Sequence, residues 1–343
     1  MYLHALATAV PPATFTPAQC WDIVQRSGVR ARLNRRSQLI LRSILRSDHG
    51  IDTRHFAAPD IERVFDLNAD ELNHVFRVEA PRLAGRALAA ALSQAGVNAD
   101  ELDALFICTC TGYLCPGLSS YVSEQLGLRS DAFLQDLVGL GCGAAIPTLR
   151  AASHLLAARP DAVIACVAVE VCSAAFYLDD DPGVLISACL FGDGAAATVW
   201  RATPGPGALR CFDFATLHLP AERDKLRFEQ RDGKLRNLLD RTVPELAAQA
   251  VGQLWRTRGA RPVSRVVAHP GGRDVLEALA PVIAPHTLDA SIATLRQNGN
   301  MSSPSVLFAL EEALRHATPD AEGDFWLVSF GAGFSAHCCR IGM

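Results

Sequence analysis

The sequence lacks the features that mark several classes of protein. Its longest apolar run, about residues 162–178, is interrupted by Glu170 and is too short to span a bilayer comfortably. Residues 1–5 show no basic segment leading into an apolar stretch, so no secretion signal is expected. The formal net charge is -4, which gives no reason to expect nucleic acid or an acidic membrane as a partner. We therefore expect a soluble cytoplasmic protein.

Patterns typical of resident cofactors are also missing. The chain has no CxxC pair, and Cys108-Thr109-Cys110 would place two sulfurs on one strand face without a second pair of ligands. A Walker-type glycine-rich loop is absent, and Gly192-Asp193-Gly194 lacks the third glycine of a dinucleotide fingerprint. We expect no metal site and no permanently bound cofactor.

Cysteine and apolar residues, in contrast, are abundant. Half of the residues are apolar and 20% are charged, which supports a large buried core. Most of the 11 cysteines lie in apolar, strand-like runs. In a reducing compartment they are expected to be buried free thiols that behave as small hydrophobic side chains.

Three short signals recur in the same order in the two halves of the chain. In the first half they are PRLA at 81–84, GCG at 141–143 and FGDG at 191–194. In the second half they are PELA at 244–247, GNM at 299–301 and FGAG at 330–333. Such a repeat predicts a duplicated α/β unit in which Cys142 and Asn300 occupy equivalent points.

Apolar β-rich runs alternate with helical runs rich in Ala and Leu. Strands are predicted at 104–110, 162–171, 263–268 and 325–330, and helices at 84–95, 141–156, 246–255 and 303–316. This alternation predicts mostly parallel sheets that enclose central helices. No Gly/Ser-rich linker separates the halves, and we place their boundary in the Pro/Gly-rich stretch 201–207, which gives units 1–202 and 203–343.

Two positions suggest covalent chemistry. Cys142 lies between two glycines at a predicted helix start, where partial positive charge favours a thiolate. The alternative is a buried cysteine in a strand-to-helix turn. His269 ends a predicted strand and precedes Pro270-Gly271-Gly272, where open α/β sheets place active-site groups. The alternative is a histidine that bonds a neighbouring carbonyl.

Together Cys142, His269 and Asn300 suit thioester chemistry. The thiolate can take an acyl group, the imidazole can raise the thiolate population, and His and Asn can donate hydrogen bonds to an oxygen that becomes negative. An amide as the third member stabilises an enolate without supplying a base.

The chain resembles the type III polyketide synthases of the thiolase superfamily, which are similar to chalcone and stilbene synthases. The strongest stretches are the Cys142 turn, 190–196, 268–272 and 299–303. The resemblance implies a thiolase-like fold layered α/β/α/β/α, with Cys142, His269 and Asn300 as the catalytic residues. It also implies that Phe191 is a gatekeeper between a CoA tunnel and a cavity.

The resemblance implies an acyltransferase that uses coenzyme A thioesters as substrates. A starter acyl group would move from acyl-CoA to Cys142, and malonyl-CoA would lose CO2 with its thioester carbonyl held by His269 and Asn300. Repeated condensation would grow a chain that cyclises to an aromatic or pyrone product. The resemblance further implies a homodimer with an interface around 111–122, in which Cys115 approaches the partner's cavity.

The family pattern also indicates where substrates would lie. Positions that tune the product are expected at Cys110, Thr111, Cys115, Cys172 and Ala175, and their small side chains predict room for a long or bulky chain. The CoA site is expected at Arg42, Arg46 and Ser302. The two arginines share a helix face in a basic stretch that runs to Arg54. A second gatekeeper has no clear match, and the nearest segment is 233–237.

Two alternatives remain. A ketoacyl synthase III-like enzyme would perform a single condensation on acyl carrier protein, but such relatives carry His-Gln-Ala-Asn and Gly-Asn-Thr-Ser motifs. This chain has HPGG at 269–272 and GNMSS at 299–303, which favours the polyketide branch. A non-catalytic subunit of the same fold usually lacks the nucleophile, whereas Cys142 is present.

Overall fold

The computed structural model describes residues 1–205, 207, 209–317 and 323–342. Its strands are β1 (Tyr2–Ala9), β2 (Thr14–Phe15), β3 (Arg54–His55), β4 (Ala104–Cys108), β5 (Phe133–Leu137), β6 (Ile164–Glu170), β7 (Gly194–Arg201), β8 (Arg210–His218), β9 (Leu226–Arg231), β10 (Lys234–Leu239), β11 (Val263–Ala268), β12 (Asp324–Gly331) and β13 (Ser335–Gly342). Its α-helices are α1 (Pro17–Arg26), α2 (Val29–Arg32), α3 (Arg35–Arg46), α4 (Ala69–Ala95), α5 (Leu118–Leu126), α6 (Ala145–Ala158), α7 (Pro182–Leu190), α8 (Val243–Thr257), α9 (Arg273–Ile283), α10 (Asp289–Asn298) and α11 (Ser305–Arg315).

Among the described residues, nine strands form one mixed sheet in the order β11-β12-β13-β8-β1-β7-β6-β4-β5. Its two halves join where β1 pairs with β8 at Tyr2 and Arg210. Only β4 with β5, β4 with β6, and β11 with β12 pair in parallel within the described sheet. The prediction of mostly parallel sheets is therefore wrong. Short connections such as the turn between β12 and β13 bring consecutive strands together in opposite directions.

The sheet halves and helices stack in five layers, which confirms the predicted α/β/α/β/α sandwich. Helices α6 and α11 lie between the two halves of the sheet, α4 and α5 cover one outer face, and α8, α9 and α10 cover the other. The strands are apolar on both faces because each face meets helices: on β6, Cys166 and Ala168 point to the central layer while Val167 and Val169 point to α4.

Most predicted elements are found at their predicted positions, and α4 differs most. The predicted helix 84–95 ends as expected at Gly96, whose φ of 63° caps the helix in the left-handed region. It begins much earlier, at Ala69, where Asn68 and Glu71 form a capping box. Pro81 lies inside this helix rather than at its start.

A smaller apolar cluster joins the N-terminal helices α1 and α3 to α7 beside the site described below. Within the described residues, no helix has both the length and the apolar character needed to cross a membrane.

Candidate active site

Cys142 lies at the start of the central helix α6, as the sequence predicts. Residues 141–143 form one 3-10 turn, and Gly141 has a φ of 53°, which glycine adopts without strain. The end of β12 packs directly on this turn. A Cβ at Gly331 would lie 2.6 Å from the Gly143 nitrogen and 2.9 Å from the Cys142 nitrogen. The strand thus holds the backbone of the cysteine through a contact that only glycine permits.

His269 follows β11 and is held by the neighbouring strand and an aromatic ring. Its N–H donates to the Val328 carbonyl at 2.8 Å, and its ring meets Phe330 edge to face at 5.3 Å between centroids. The side chain is 1% exposed, and Nδ1 is buried without a hydrogen-bond partner among the described residues. Burial lowers the pKa of His269 to about 3, so the imidazole is neutral at physiological pH.

Asn300 is positioned by a short backbone bridge to Phe191. The Asn300 N–H donates to the Leu190 carbonyl and the Gly192 N–H donates to the Asn300 carbonyl, each at 3.0 Å. The side-chain amide is oriented as well: Oδ1 accepts from the Ser302 N–H at 2.8 Å and Nδ2 donates to the Gly271 carbonyl at 3.1 Å. One amide N–H remains available to another acceptor.

Burial controls the protonation of the nucleophile. Cys142 is 9% exposed, and desolvation raises the pKa of its thiol to about 12. Ser302 lowers this pKa through its hydroxyl, which donates to Sγ at 3.2 Å, whereas the nearby Glu170 raises it. Desolvation thus opposes the thiolate that the helix start is expected to favour. Loss of hydration on burial favours the neutral thiol of Cys142 and the neutral imidazole of His269.

Cys142, His269 and Asn300 line one open cavity of about 700 Å³, here called the outer cavity. Ile44 and His49, in and just after α3, lie at its wall. Three arginines that the sequence interpretation did not single out also line it: Arg227, Arg241 and Arg273. They lie in or near β9, α8 and α9, far along the chain from the basic N-terminal stretch, so no local sequence pattern links them to the site.

A second, mainly apolar cavity of about 40 Å³, here called the inner cavity, lies on another side of Cys142. Its wall includes four predicted positions: Cys110, Thr111, Cys172 and Ala175. Cys115 is absent from this wall and is exposed. The space is small although these residues are small, because Phe176, Tyr177 and Phe228 also line it. The expected room for a long or bulky chain is not found.

Four residues line both cavities: Cys142, Phe191, Leu226 and Arg227. Phe191 therefore stands where the sequence places a gatekeeper, between the two spaces. Leu226 stands at the same junction, and sequence reasoning missed it. The segment 233–237, expected near a second gate, contributes Asn237 to the inner cavity and nothing to the junction.

Glu170 is a further residue that the sequence interpretation missed. It is fully buried, and its carboxylate accepts from Thr109, Thr111 and Ser303 hydroxyls and from the N–H groups of residues 110 and 111. Burial raises its pKa. The network holds the Cys110–Thr111 turn and the Ser303 segment together below the nucleophile. The sequence did contain a signal for this network, because a single charged residue in an otherwise apolar strand must find hydrogen-bond partners when it is buried.

The basic N-terminal stretch separates into surface and buried residues. Arg42 and Arg46 are exposed on α3 and form no ion pair within the described residues. Arg54 is instead 2% exposed, and its Nη1 donates to the carbonyls of Ala188 and Phe191 at 2.8 and 2.9 Å. It therefore holds the end of α7 and is not available at a cavity mouth. Ser302, expected in the CoA site, is 1% exposed and lies against the nucleophile.

Asp193 gives the FGDG signal a structural role. The carboxylate is buried and accepts from the Ala57 N–H and from both the N–H and hydroxyl of Ser173. Burial raises its pKa to about 6. Among the described residues, no group of three His, Cys, Asp or Glu side chains could hold a metal ion.

Comparisons with known proteins agree with this geometry. A model described as FAE1/Type III polyketide synthase-like protein matches residues 41–204, and one described as 3-oxoacyl-[acyl-carrier-protein] synthase III C terminal matches residues 259–343. A 3,5-dihydroxyphenylacetyl-CoA synthase from Streptomyces toyocaensis is 30% identical over 77% of this chain and 73% of that protein. A 1,3,6,8-tetrahydroxynaphthalene synthase from Streptomyces peucetius is 29% identical over 97% and 90% of the two chains.

Solved structures extend the similarity over the whole fold. The 1,3,6,8-tetrahydroxynaphthalene synthase of Streptomyces coelicolor, a bacterial type III polyketide synthase, superposes with a TM-score of 0.89 at 26% identity and covers 99% of both chains. The polyketide synthase PKS-I of the brown alga Ectocarpus siliculosus shares the fold, with a TM-score of 0.88 at 23% identity over 99% of this chain and 97% of its own. The chain belongs to the type III polyketide synthase family, whose members are acyltransferases that condense malonyl-CoA iteratively and cyclise the product.

Proposed function

We propose that this enzyme loads an acyl group from acyl-CoA onto Cys142 and extends it with malonyl-CoA through groups held by His269 and Asn300. The observation that carries the proposal is the meeting of these three side chains at one cavity. They come from the start of α6, the end of β11 and the segment before α11, so only the fold brings them together.

The loading step begins from a neutral pair. As the Cys142 sulfur attacks the thioester carbonyl, His269 accepts the thiol proton, and the imidazolium then returns it to the departing CoA sulfur. The depressed pKa of His269 makes that return favourable, because the buried imidazolium is unstable. Because Nδ1 of His269 is buried and has no hydrogen-bond partner in the described chain, we assign the exchanged proton to Nε2.

The extension step uses two hydrogen-bond donors. After the neutral imidazole of His269 has exchanged to the tautomer with its proton on Nε2, the thioester oxygen of malonyl-CoA accepts from that N–H and from the free N–H of the Asn300 amide. Loss of CO2 leaves an enolate whose negative oxygen these donors stabilise. The enolate carbon attacks the acyl-Cys142 carbonyl, the C–S bond breaks, and the Cys142 thiolate leaves. The Cys142 thiolate then attacks the thioester of the lengthened chain, and CoA leaves as a thiolate that takes a proton from water, which begins the next cycle.

We assign the junction residues Phe191 and Leu226 to the gate between CoA and the growing chain. Their apolar side chains disfavour a solvated carboxylate next to Cys142 and so favour decarboxylation. We place the CoA phosphates near Arg42 and Arg46, with Arg241 and Arg273 in the wall of the outer cavity as additional cations. Ser302 is assigned to the nucleophile rather than to CoA.

The product is proposed to be an aromatic or pyrone polyketide made from a short starter. Two relatives, which match 97% and 77% of this chain, are named for polyhydroxylated aromatic products, and the inner cavity of about 40 Å³ suits a short acyl group. A single condensation on acyl carrier protein remains the alternative, since residues 259–343 also match that family.

We also propose a cytoplasmic homodimer. All 11 cysteines are free, which fits a reducing compartment. The strand β5 forms an edge of the large sheet, and Phe133 and Val138 at this edge are 48% and 52% exposed. Tyr113, in the predicted 111–122 interface, is 72% exposed. An open apolar strand edge commonly pairs with a second chain.

The proposal is tested by incubating the purified enzyme with malonyl-CoA and a panel of acyl-CoA starters, with and without acyl carrier protein. We expect carrier-independent products that are at least two acetate units longer than the starter, and none from Cys142→Ala. Mass spectrometry of the intact protein would show the acyl group on wild-type enzyme only. Extension that requires carrier protein and stops after one unit would instead support the alternative.

A further inference from the structure

Two buried polar atoms in the inner cavity have no hydrogen-bond partner in the part of the chain that the structure describes. Ser187 is 4% exposed, lines the cavity from α7, and its Oγ has no hydrogen bond within the described residues. Asn237 lines the same cavity from β10, and its buried Oδ1 is also unpaired within that part of the chain. Buried polar atoms are usually satisfied, so two orphans in one small cavity point to a ligand that supplies their partners.

Both side chains are held by rigid elements next to the gate. Ser187 lies one helical turn before Phe191, whose N–H donates to the Ser187 carbonyl at 3.1 Å. Asn237 follows Arg236, whose guanidinium binds Asp179 at 2.7 Å and Glu229 at 2.9 Å. Successive side chains of a strand point to opposite faces, so this anchor fixes the strand that presents Asn237. The backbone of both residues is thus held beside the cavity into which the two polar atoms are buried.

We propose that Ser187 and Asn237 form an oxygen-recognition site that selects a β-keto acyl chain over a hydrocarbon chain of equal length. A β-keto thioester carries a carbonyl that accepts from the Ser187 hydroxyl, and its enol form carries a hydroxyl that donates to Asn237 Oδ1. A saturated chain of the same length satisfies neither atom, and the unpaired groups then disfavour it. This inference rests on the proposed function, because it concerns the acyl group carried by Cys142.

The test is a competition between acetoacetyl-CoA and butyryl-CoA for Cys142, read by mass spectrometry of the intact protein. The two acyl groups have equal length and differ only at the β-carbon. We expect wild-type enzyme to favour acetoacetyl, and Ser187→Ala and Asn237→Leu each to reduce that preference by about fivefold to tenfold, the effect of one neutral hydrogen bond. The control Val184→Ala enlarges the same cavity without changing its polarity and should keep the preference.

A preference unchanged in both variants, or reduced equally by Val184→Ala, would overturn the inference while leaving acylation of Cys142 intact. Failure of both thioesters to acylate wild-type Cys142 would overturn the proposed function and the inference with it. Thermal unfolding supplies a readout that needs no substrate. Because the Ser187 hydroxyl has no partner to lose, Ser187→Ala should not lower the melting temperature, and a drop of several degrees would show a structural role instead.

Discussion

Ser302 shows how one residue outside the catalytic three sets the state of the nucleophile. Its hydroxyl lies 3.2 Å from both Cys142 Sγ and Cys110 Sγ. Its φ of 60° is unusual for a residue with a side chain, and its N–H also orients the Asn300 amide. One serine thus couples the thiol to the hydrogen-bond donor that we assign to the enolate.

Replacement of Ser302 by glycine should make Cys142 less reactive. Glycine tolerates the φ of 60°, so the turn is kept while the hydrogen bond to sulfur is lost. We expect the pKa of Cys142 to rise and the alkylation rate at pH 8 to fall about tenfold. The rate is measured with iodoacetamide and peptide mapping, with Cys142→Ala as the background. An unchanged or faster rate would show that the hydroxyl does not stabilise the thiolate.

His269 should make the folded protein sensitive to acid. Its pKa is lowered to about 3 in the folded state, whereas the unfolded chain has the ordinary value of 6.5. Between these two pH values His269 binds a proton in the unfolded chain but not in the folded one. The group therefore costs no stability above pH 6.5 and destabilises the fold as the pH falls from 6.5 toward 3. Linkage sets the loss at about 1.4 kcal/mol per pH unit within that window.

Urea unfolding of wild type and His269→Gln between pH 7.5 and 4.5 measures this effect, since other titrating groups contribute equally to both proteins. As the pH falls, the free energy of unfolding should decrease less in the variant than in wild type. Parallel profiles would mean that the pKa of His269 is not lowered in the folded state.

The end of β12 shows how a secondary-structure element places a catalytic group. Gly331 contacts the turn that carries Cys142, and a Cβ there would approach backbone atoms that have little freedom to move. This contact brings the FGAG segment at 330–333 in the second half against the GCG segment at 141–143 in the first half. The two repeats are therefore in direct contact, and they also meet through the bridge between Phe191 and Asn300.

Substitution of alanine for Gly331 should displace the nucleophile. The added methyl would lie 2.6 Å from the Gly143 nitrogen and 2.8 Å from the Leu140 carbonyl oxygen. We expect a loss of about 1–3 kcal/mol in the free energy of unfolding and a strong loss of Cys142 acylation. The control Gly127→Ala, at a φ of 70° with no atom within 4 Å, should cost about 1 kcal/mol and retain acylation. Equal acylation in both variants would contradict the packing argument.

The sequence predicted the positions of helices and strands more accurately than it predicted whether neighbouring strands pair in parallel. Strand β11 begins and ends at its predicted residues, because apolar runs bounded by turn residues are local signals. The start of α4 was missed because its first turns, with Asp70 and Glu71, read as polar, and Pro81 suggested a helix start. Strand direction depends on which neighbours pair, and no local pattern contains that information. The boundary at residues 202 and 203 stays a prediction.

The whole molecule carries an apolar strand edge that we expect to be covered by a second copy. Lysine at Phe133 and Val138 would place charge on that edge and should convert a dimer to a monomer in sedimentation velocity. Leu39→Lys is the matched control, because Leu39 is 56% exposed on α3, away from the β5 edge, and should leave the dimer intact. A wild-type monomer, or dissociation by the control as well, would refute this interface.

The motifs, with the resemblance to type III polyketide synthases that they carry, predicted the layered fold, the family and the three residues proposed for catalysis. Cys142 and Asn300 sit at repeated helix starts and His269 sits at a strand end, so turn chemistry and chain order identify them. Four properties required the folded chain: the neutral resting state of Cys142 and His269, Leu226 at the junction, the small inner cavity, and the orphan atoms of Ser187 and Asn237. Each depends on desolvation or on contact between residues distant in sequence, and both arise only when the layers pack together.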